Sequence, residues 1–319
     1  FVVGDDFLHM MIPSTAAGLD FFREPVVAYA GKSILCQGDS RRMGQNRASS
    51  GIPENLKCIR LEIRDGRHRL PVEIIDPSPG AVRRPGEILL FLHEGLGSIA
   101  QWRDFPQALC RATGLPAVVY ERWGYGGADP LDAPRTVRYL HDEALRSLPE
   151  VLRQLRIERS ILIGHSDGGS IALIFSSAWP EKVRGIITEA AHVFVEEVTL
   201  AGIREAVRAY AASDLPERLS RYHGGNTDGA FRGWSDIWLS PAFREWNIED
   251  CLAGVRCPVL AIQGQDDEYG TPAQVAAIVR GVSGPAEPLL VAGCGHIPHH
   301  QARGRVLDAM ARFVGTLPP

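Results

Sequence analysis

A serine lies at the centre of the most informative motif in this sequence, Gly164-His165-Ser166-Asp167-Gly168. The motif follows an apolar run at 161–163 and precedes residues of helical character, which predicts a sharp turn from a strand into a helix. Glycines on both sides permit this turn because they leave no Cβ to crowd the backbone. The turn would expose the serine hydroxyl and leave the N–H of Asp167 facing a developing oxyanion. The motif therefore predicts that Ser166 is a nucleophile, although a glycine-rich turn with an incidental serine is the simpler alternative.

The base and the acid that a serine nucleophile needs are predicted on two later loops. An imidazole must take the hydroxyl proton, and a carboxylate must hold the imidazole in the correct tautomer. His296 follows the last predicted strand within Gly293-Cys294-Gly295-His296 and is the predicted base. The acid is expected in the loop after the preceding strand, where Asp266 and Asp267 compete. Asp267 is favoured and Asp266 stays the alternative.

A second glycine loop, His93-Glu94-Gly95-Leu96-Gly97, follows the strand predicted at 88–92. Glycine allows backbone N–H groups to approach a substrate closely. The N–H groups of Gly95 and Asp167 are therefore the predicted oxyanion donors, and Leu96 is the next candidate. Leu96 and Glu94 are also predicted to border the substrate.

Two charged residues near this loop have alternative predicted roles. Glu94 either accepts hydrogen bonds that hold the loop, which is favoured, or contacts a polar or cationic part of the substrate. Arg122 either braces the loop that contains Tyr125, which is again favoured, or binds a substrate carboxylate.

These motifs occur in the order found in α/β-hydrolases, and the chain resembles the capped members of that superfamily. The motifs are the glycine loop at 93–97, Tyr120-Glu121-Arg122-Trp123-Gly124-Tyr125-Gly126, the turn at Ser166, and Gly264-x-x-Asp267 followed by Gly293-x-Gly295-His296. The resemblance extends from about residue 56 to the C-terminus. It implies an eight-stranded, mostly parallel sheet with a helical lid, and acyl-enzyme hydrolysis without a cofactor. The chain departs from the family pattern at Glu94, where glycine is usual, and by one additional residue between Asp267 and Pro272.

Alternating strands and helices must position these loops. The apolar-charged alternation at 58–64, Asp65-Gly66 and the apolar run at 70–75 predict a β-hairpin. Further strands are predicted at 88–92, 117–120, 161–163, 183–188, 259–263 and 288–291. Helices are predicted at 102–113, 139–155, 169–178, 272–280 and 304–314. This order predicts an α/β fold with a mostly parallel sheet and helices on both faces.

The alternation stops between residue 192 and about residue 251, where the pattern is helical throughout. This segment is predicted to cap the carboxyl ends of the strands. Its aromatic residues have two equally weighted predicted roles: they form an apolar wall of the substrate pocket, or they pack the cap onto the core. These residues are Trp234, Trp238, Tyr222 and Phe231. The predicted division is an irregular extension at 1–56, a core at 57–191 and 252–319, and a cap at 192–251.

Composition excludes several classes of function. Apolar residues make up 45% of the chain and charged residues 23%, as in ordinary globular proteins. A net charge of -4 without a long basic run argues against nucleic acid or anionic membranes as partners. No apolar stretch approaches the ~20 residues that cross a bilayer. Six scattered cysteines and no secretory pattern predict a cytoplasmic protein without a metal site or a disulfide framework.

The sequence as a whole predicts a serine hydrolase that cleaves a small or medium carboxylic ester through an acyl-enzyme. Cleavage of a C–C bond in a ring-fission diketone, or of an N-terminal proline, would use the same three residues. The second of these reactions would need acids that hold a free amine, and Glu94, Glu196 and Glu197 are candidates. A binding module without activity is the alternative from another class. The expected partner is a small-molecule substrate, and the oligomeric state is left open.

Overall fold

The computed structural model describes residues 59–63, 68–77 and 88–318. In this part of the chain, eight strands form one sheet in the order β1-β2-β4-β3-β5-β6-β7-β8. The strands are β1 (Ile59–Ile63), β2 (His68–Ile75), β3 (Leu89–Leu92), β4 (Ala117–Tyr120), β5 (Ser160–His165), β6 (Val183–Glu189), β7 (Val259–Gly264) and β8 (Ala286–Val291). Strand β2 is antiparallel to β1 and β4, and the other neighbours are parallel. The predicted α/β fold is confirmed, while the hairpin turn predicted at Asp65-Gly66 lies outside the described residues.

The central strands are apolar because both of their faces are buried. On β3, Leu90 and Leu92 contribute to one core, while Leu89 and Phe91 contribute to the other. Side chains alternate between the two faces of a strand, so a continuous apolar run suits a sheet that is covered on both sides. These two cores fix the central strands, and the candidate site lies at the carboxyl ends of those strands.

Helices cover both faces of the sheet. They are α1 (Phe105–Thr113), α2 (Tyr139–Asp142, the π-helical stretch Glu143–Ser147 and Leu148–Gln154), α3 (Asp167–Ala178), α4 (Glu197–Ala212), α5 (Leu215–His223), α6 (Thr227–Trp238), α7 (Pro272–Gly281), α8 (Pro298–Gln301) and α9 (Arg303–Thr316). Phe105 of α1 and Phe313 of α9 belong to the core that contains Phe91. Ile171 of α3 and Val275 of α7 belong to the opposite core.

Helices α4, α5 and α6 lie between β6 and β7, in the segment at 192–251, which we call the insertion. An isolated antiparallel bridge between Phe194 and Asn247 joins the two ends of the insertion. Ile203, Leu219 and Phe231 bury apolar surface in the same core as α3. The extension predicted at 1–56 lies outside the described residues. Among those that are described, no helix combines the length and the apolar character needed to cross a bilayer.

Candidate active site

Ser166 lies between β5 and α3 in a strained backbone conformation. Its φ is 51° and its ψ is -116°, a region that costs about 1–3 kcal/mol for a residue with a Cβ. A Cβ at Gly164 would overlap the carbonyl oxygen of Gly168, and a Cβ at Gly168 would overlap the carbonyl oxygen of Leu92. Both glycines of the motif are therefore required, because other backbone atoms lie where a Cβ would be. Asp167 is the first residue of α3, and the N–H groups of a first helical turn lack acceptors within the helix.

His296 and Asp267 are in contact. Nδ1 of His296 lies 2.8 Å from Oδ1 and 3.0 Å from Oδ2 of Asp267. The carboxylate also accepts hydrogen bonds from the amide of Gln263 and from the backbone N–H of Tyr269. Burial raises the pKa of Asp267, but the neighbouring His296 and the hydrogen bond from Tyr269 outweigh burial and hold the pKa below its ordinary value. Of the two acids that the sequence left open, Asp267 contacts His296, whereas Asp266 is exposed.

Ser166 and His296 line the same cavity. The other predicted residues on its wall are Glu94, Gly95, Leu96, Trp234 and Trp238. Sequence reasoning did not select four further wall residues: His192, Thr199, Ile203 and Tyr269. Two aromatic residues predicted for this wall lie elsewhere, because Tyr222 lines a second cavity and Phe231 stacks on Tyr210.

The insertion closes over the glycine loop through Trp234. A Cβ at Gly95 would overlap the indole ring of Trp234, so only glycine lets α6 come this close. The indole of Trp238 donates a hydrogen bond to the hydroxyl of Tyr139 at 2.8 Å, and this hydroxyl donates to Asp167 at 2.9 Å. The insertion is therefore connected to the serine turn through the hydroxyl of Tyr139.

Arg122 braces the two loops beside Ser166. Its Nη2 donates to the carbonyl of Glu94 at 2.7 Å and to the carboxylate of Asp167 at 3.2 Å. Its guanidinium also lies 4.7 Å from the ring centre of Tyr125. Arg122 is buried and is not part of the cavity wall, so its contacts match the bracing role that the sequence favoured.

Residues 87–248 match the family model described as alpha/beta hydrolase fold. The chain belongs to this family. The hydrolase is 25% identical over 264 residues to a proline iminopeptidase of Lactobacillus delbrueckii subsp. bulgaricus, covering 71% of this chain and 89% of the relative.

Solved structures share the fold of the hydrolase. The proline iminopeptidase of Mycobacterium smegmatis superposes with a TM-score of 0.60 at 20% identity, covering 81% of this chain and 98% of that chain. The esterase RhEst1 from Rhodococcus sp. ECU1013 also has a TM-score of 0.60, at 18% identity, covering 82% of this chain and 100% of that one. Identities this low show a common fold and leave the substrate of the hydrolase open.

Glu94 and His165 form a buried pair in the hydrolase that joins three loops of the site. Nδ1 of His165 lies 3.3 Å from Oε2 of Glu94, and Nε2 lies 2.7 Å from the carbonyl oxygen of His296. Both partners are acceptors, so both ring nitrogens carry hydrogen. Burial lowers the pKa of His165, but Glu94, together with Glu189 and the carbonyl of His296, outweighs burial and raises the pKa overall. Burial conversely raises the pKa of Glu94, and His165 brings it well below its ordinary value.

Proposed function

We propose that this hydrolase cleaves a small or medium carboxylic ester through an acyl-enzyme. Ser166 attacks the ester carbonyl, His296 takes the hydroxyl proton, and Asp267 holds the imidazole and stabilises its cation. The observation that carries the proposal is the 2.8 Å contact between Asp267 and His296 on a cavity that Ser166 also lines.

The N–H groups of Asp167 and Gly95 stabilise the oxyanion in this mechanism. Negative charge develops on the carbonyl oxygen when Ser166 attacks, and donors already aimed at that position need no reorganisation. Asp167 adds the favourable field of the N-terminus of α3. His296 then returns its proton to the leaving alcohol, and water releases the acyl group by the reverse sequence of proton transfers.

The insertion acts as a cap in this proposal. Trp234 and Trp238 lie on the cavity wall, and Ile203 and Leu96 add apolar surface. A wall of this kind binds an apolar acyl or alcohol group and excludes water from the acyl-enzyme. The residues at 192–251 would therefore determine the size of the substrate.

A proline iminopeptidase activity is the second candidate, since the Lactobacillus relative named above carries that name. Such an activity needs a carboxylate that is free to hold an amine. Glu196 is engaged by Thr271 and Gln274, and Glu197 is paired with two arginines on the surface. Glu94 lines the cavity, but its charge is already balanced by His165. These contacts favour the ester over the aminoacyl substrate.

A substrate panel tests the proposal. It contains p-nitrophenyl esters from acetate to decanoate, prolyl p-nitroanilide and a ring-fission diketone. We expect turnover of the esters, and we expect Ser166→Ala to lower kcat by roughly 10⁴-fold or more while the protein stays folded.

Asp266→Asn is the matched control for Asp267→Asn, because only the second change removes the partner of His296.

Labelling with a fluorophosphonate separates an enzyme from a binding module. The reagent should modify Ser166 in the wild-type protein, and the modified peptide can be identified by mass spectrometry. Full ester activity in Ser166→Ala, or a wild-type protein that stays unlabelled and inactive on the whole panel, would refute the mechanism.

A further inference from the structure

His192 is a cavity residue without a part in the proposed mechanism. It follows β6 and is only 2% exposed. Its ring centre lies 6.0 Å from that of His296 and 5.3 Å from that of Trp238. Its carbonyl accepts a hydrogen bond from the hydroxyl of Ser170 at 2.6 Å, which fixes the backbone to the helix that begins after Ser166. The backbone that carries this imidazole is therefore anchored beside the reacting groups.

The hydrogen bonds of the ring determine its tautomer. Nε2 of His192 lies 2.9 Å from the carbonyl oxygen of Tyr269. A carbonyl oxygen can only accept, so Nε2 carries the hydrogen. Thr199 donates to the same oxygen at 2.6 Å. Burial, followed by the neighbouring His296, lowers the pKa of His192, so the ring is neutral and Nδ1 presents a lone pair.

Nδ1 of His192 is a buried acceptor that has no partner within the part of the chain that the structure describes. A buried polar atom left in this state is destabilising, because it has lost its hydration without gaining a partner. Because the ring lines the cavity, a bound substrate can supply the missing donor. We infer that Nδ1 of His192 accepts a hydrogen bond from an uncharged hydroxyl group of the substrate, close to the scissile ester. This inference rests on the proposed esterase function.

The charges around the cavity favour a hydroxyl over a charged group. A substrate carboxylate would meet the lone pair of His192 and the carboxylate of Glu94, and no lysine or arginine lies among the described wall residues. A substrate ammonium would find Glu94 already paired with His165. It would also oppose the positive charge that His296 acquires during proton transfer. A hydroxyl donates a hydrogen bond without bringing a charge.

Matched p-nitrophenyl esters test this inference. The set contains butanoate, both enantiomers of 2- and 3-hydroxybutanoate, 3-aminobutanoate and hydrogen succinate, and kcat/KM is measured for each. We expect at least one hydroxy ester to exceed butanoate by roughly tenfold, which corresponds to one well-placed hydrogen bond. The amino and carboxylate esters should fall below the best hydroxy ester.

Two variants show whether His192 causes the preference. His192→Phe keeps a planar ring and removes the acceptor, so the ratio of kcat/KM between the hydroxy ester and butanoate should fall roughly tenfold below its wild-type value. His192→Gln can donate to Tyr269 and still offer an oxygen, so it should restore most of the ratio. If the role of His192 were purely structural, its loss would slow the hydrolysis of both esters alike. The ratios are compared between variants because this comparison cancels the intrinsic reactivity of each ester.

The outcomes separate this inference from the proposed function. Hydrolysis of butanoate without any preference for a hydroxy ester overturns the inference alone, as does a preference that survives in His192→Phe. A higher rate with the amino or the carboxylate ester overturns it as well. If no ester is turned over and Ser166 resists labelling, the proposed function itself fails.

Discussion

Glu94 shows how one residue that departs from the family pattern alters the contacts within the site. Its carboxylate pairs with His165, the residue before Ser166, and His165 in turn donates to the carbonyl of His296. The glycine loop, the serine turn and the histidine loop are thereby joined through one imidazolium. A family member with glycine at the position of Glu94 lacks the carboxylate that keeps this imidazole charged.

We predict that Glu94→Gln destabilises the fold in a pH-dependent way. The folded pKa of His165 lies above its ordinary value of 6.5, so its contribution is complete below that pH and is lost as the pH rises through the folded pKa. The folded pKa of Glu94 lies below its ordinary value of 4.5, so its contribution is present above that pH and is lost in acid. The loss in the free energy of unfolding should therefore be largest between these two values, at about 2–4 kcal/mol.

Urea unfolding of the wild type and of Glu94→Gln, near pH 5.5 and in alkaline solution, measures this loss in the free energy of unfolding at each pH. Glu158→Gln, a charge removal at an exposed position, is the control and should show little effect at either pH. An equal loss for Glu94→Gln under both conditions would contradict a charged pair with His165.

At the scale of elements, the insertion determines how much space remains above Ser166. Helix α6 places Trp234 against Gly95, and it connects Trp238 through Tyr139 to Asp167. Because both tryptophans belong to one helix, a movement of α6 would change the cavity volume and the support of the serine turn together.

We predict that Trp234→Leu shifts the preferred acyl chain of the ester substrate to greater length. Removal of part of the indole enlarges the cavity, so short esters lose contact and their KM should rise several-fold. Trp246→Leu is a matched control, because Trp246 is equally buried in the insertion but does not line the cavity. Both variants should lose roughly 1–4 kcal/mol of stability. A shift in chain length with Trp246→Leu, or none with Trp234→Leu, would contradict this account.

At the scale of the whole molecule, several buried or half-buried histidines have a lowered pKa and are therefore neutral. Burial is the largest cause that lowers the pKa of each member of this group, which consists of His93, His141, His192, His223 and His300. His223 illustrates the arrangement: one ring nitrogen accepts from the N–H of Gly126, and the other donates to the carbonyl of Leu96. Protonation would break the first of these hydrogen bonds.

We predict that the hydrolase loses stability on mild acidification. These histidines have folded pKa values below the ordinary value of 6.5, so the unfolded state takes up more protons as the pH falls below that value. Tm should fall by roughly 5–10 °C between about pH 7.5 and about pH 5. His223→Gln preserves an acceptor and a donor but cannot be protonated in this range, so it should reduce the slope. A Tm that rises on acidification would contradict this prediction.

The sequence determined those features that depend on local pattern. The apolar runs marked the strands because both faces of the sheet are buried, and the glycines at 164 and 168 marked the serine turn because backbone atoms approach closely there. Only the tertiary structure decided which side chains meet. Asp267 and His296 are 29 residues apart, Glu94 and His165 are 71 apart, and His192 and Tyr269 are 77 apart. Contacts over such separations result from the packing of whole elements, which no local propensity encodes.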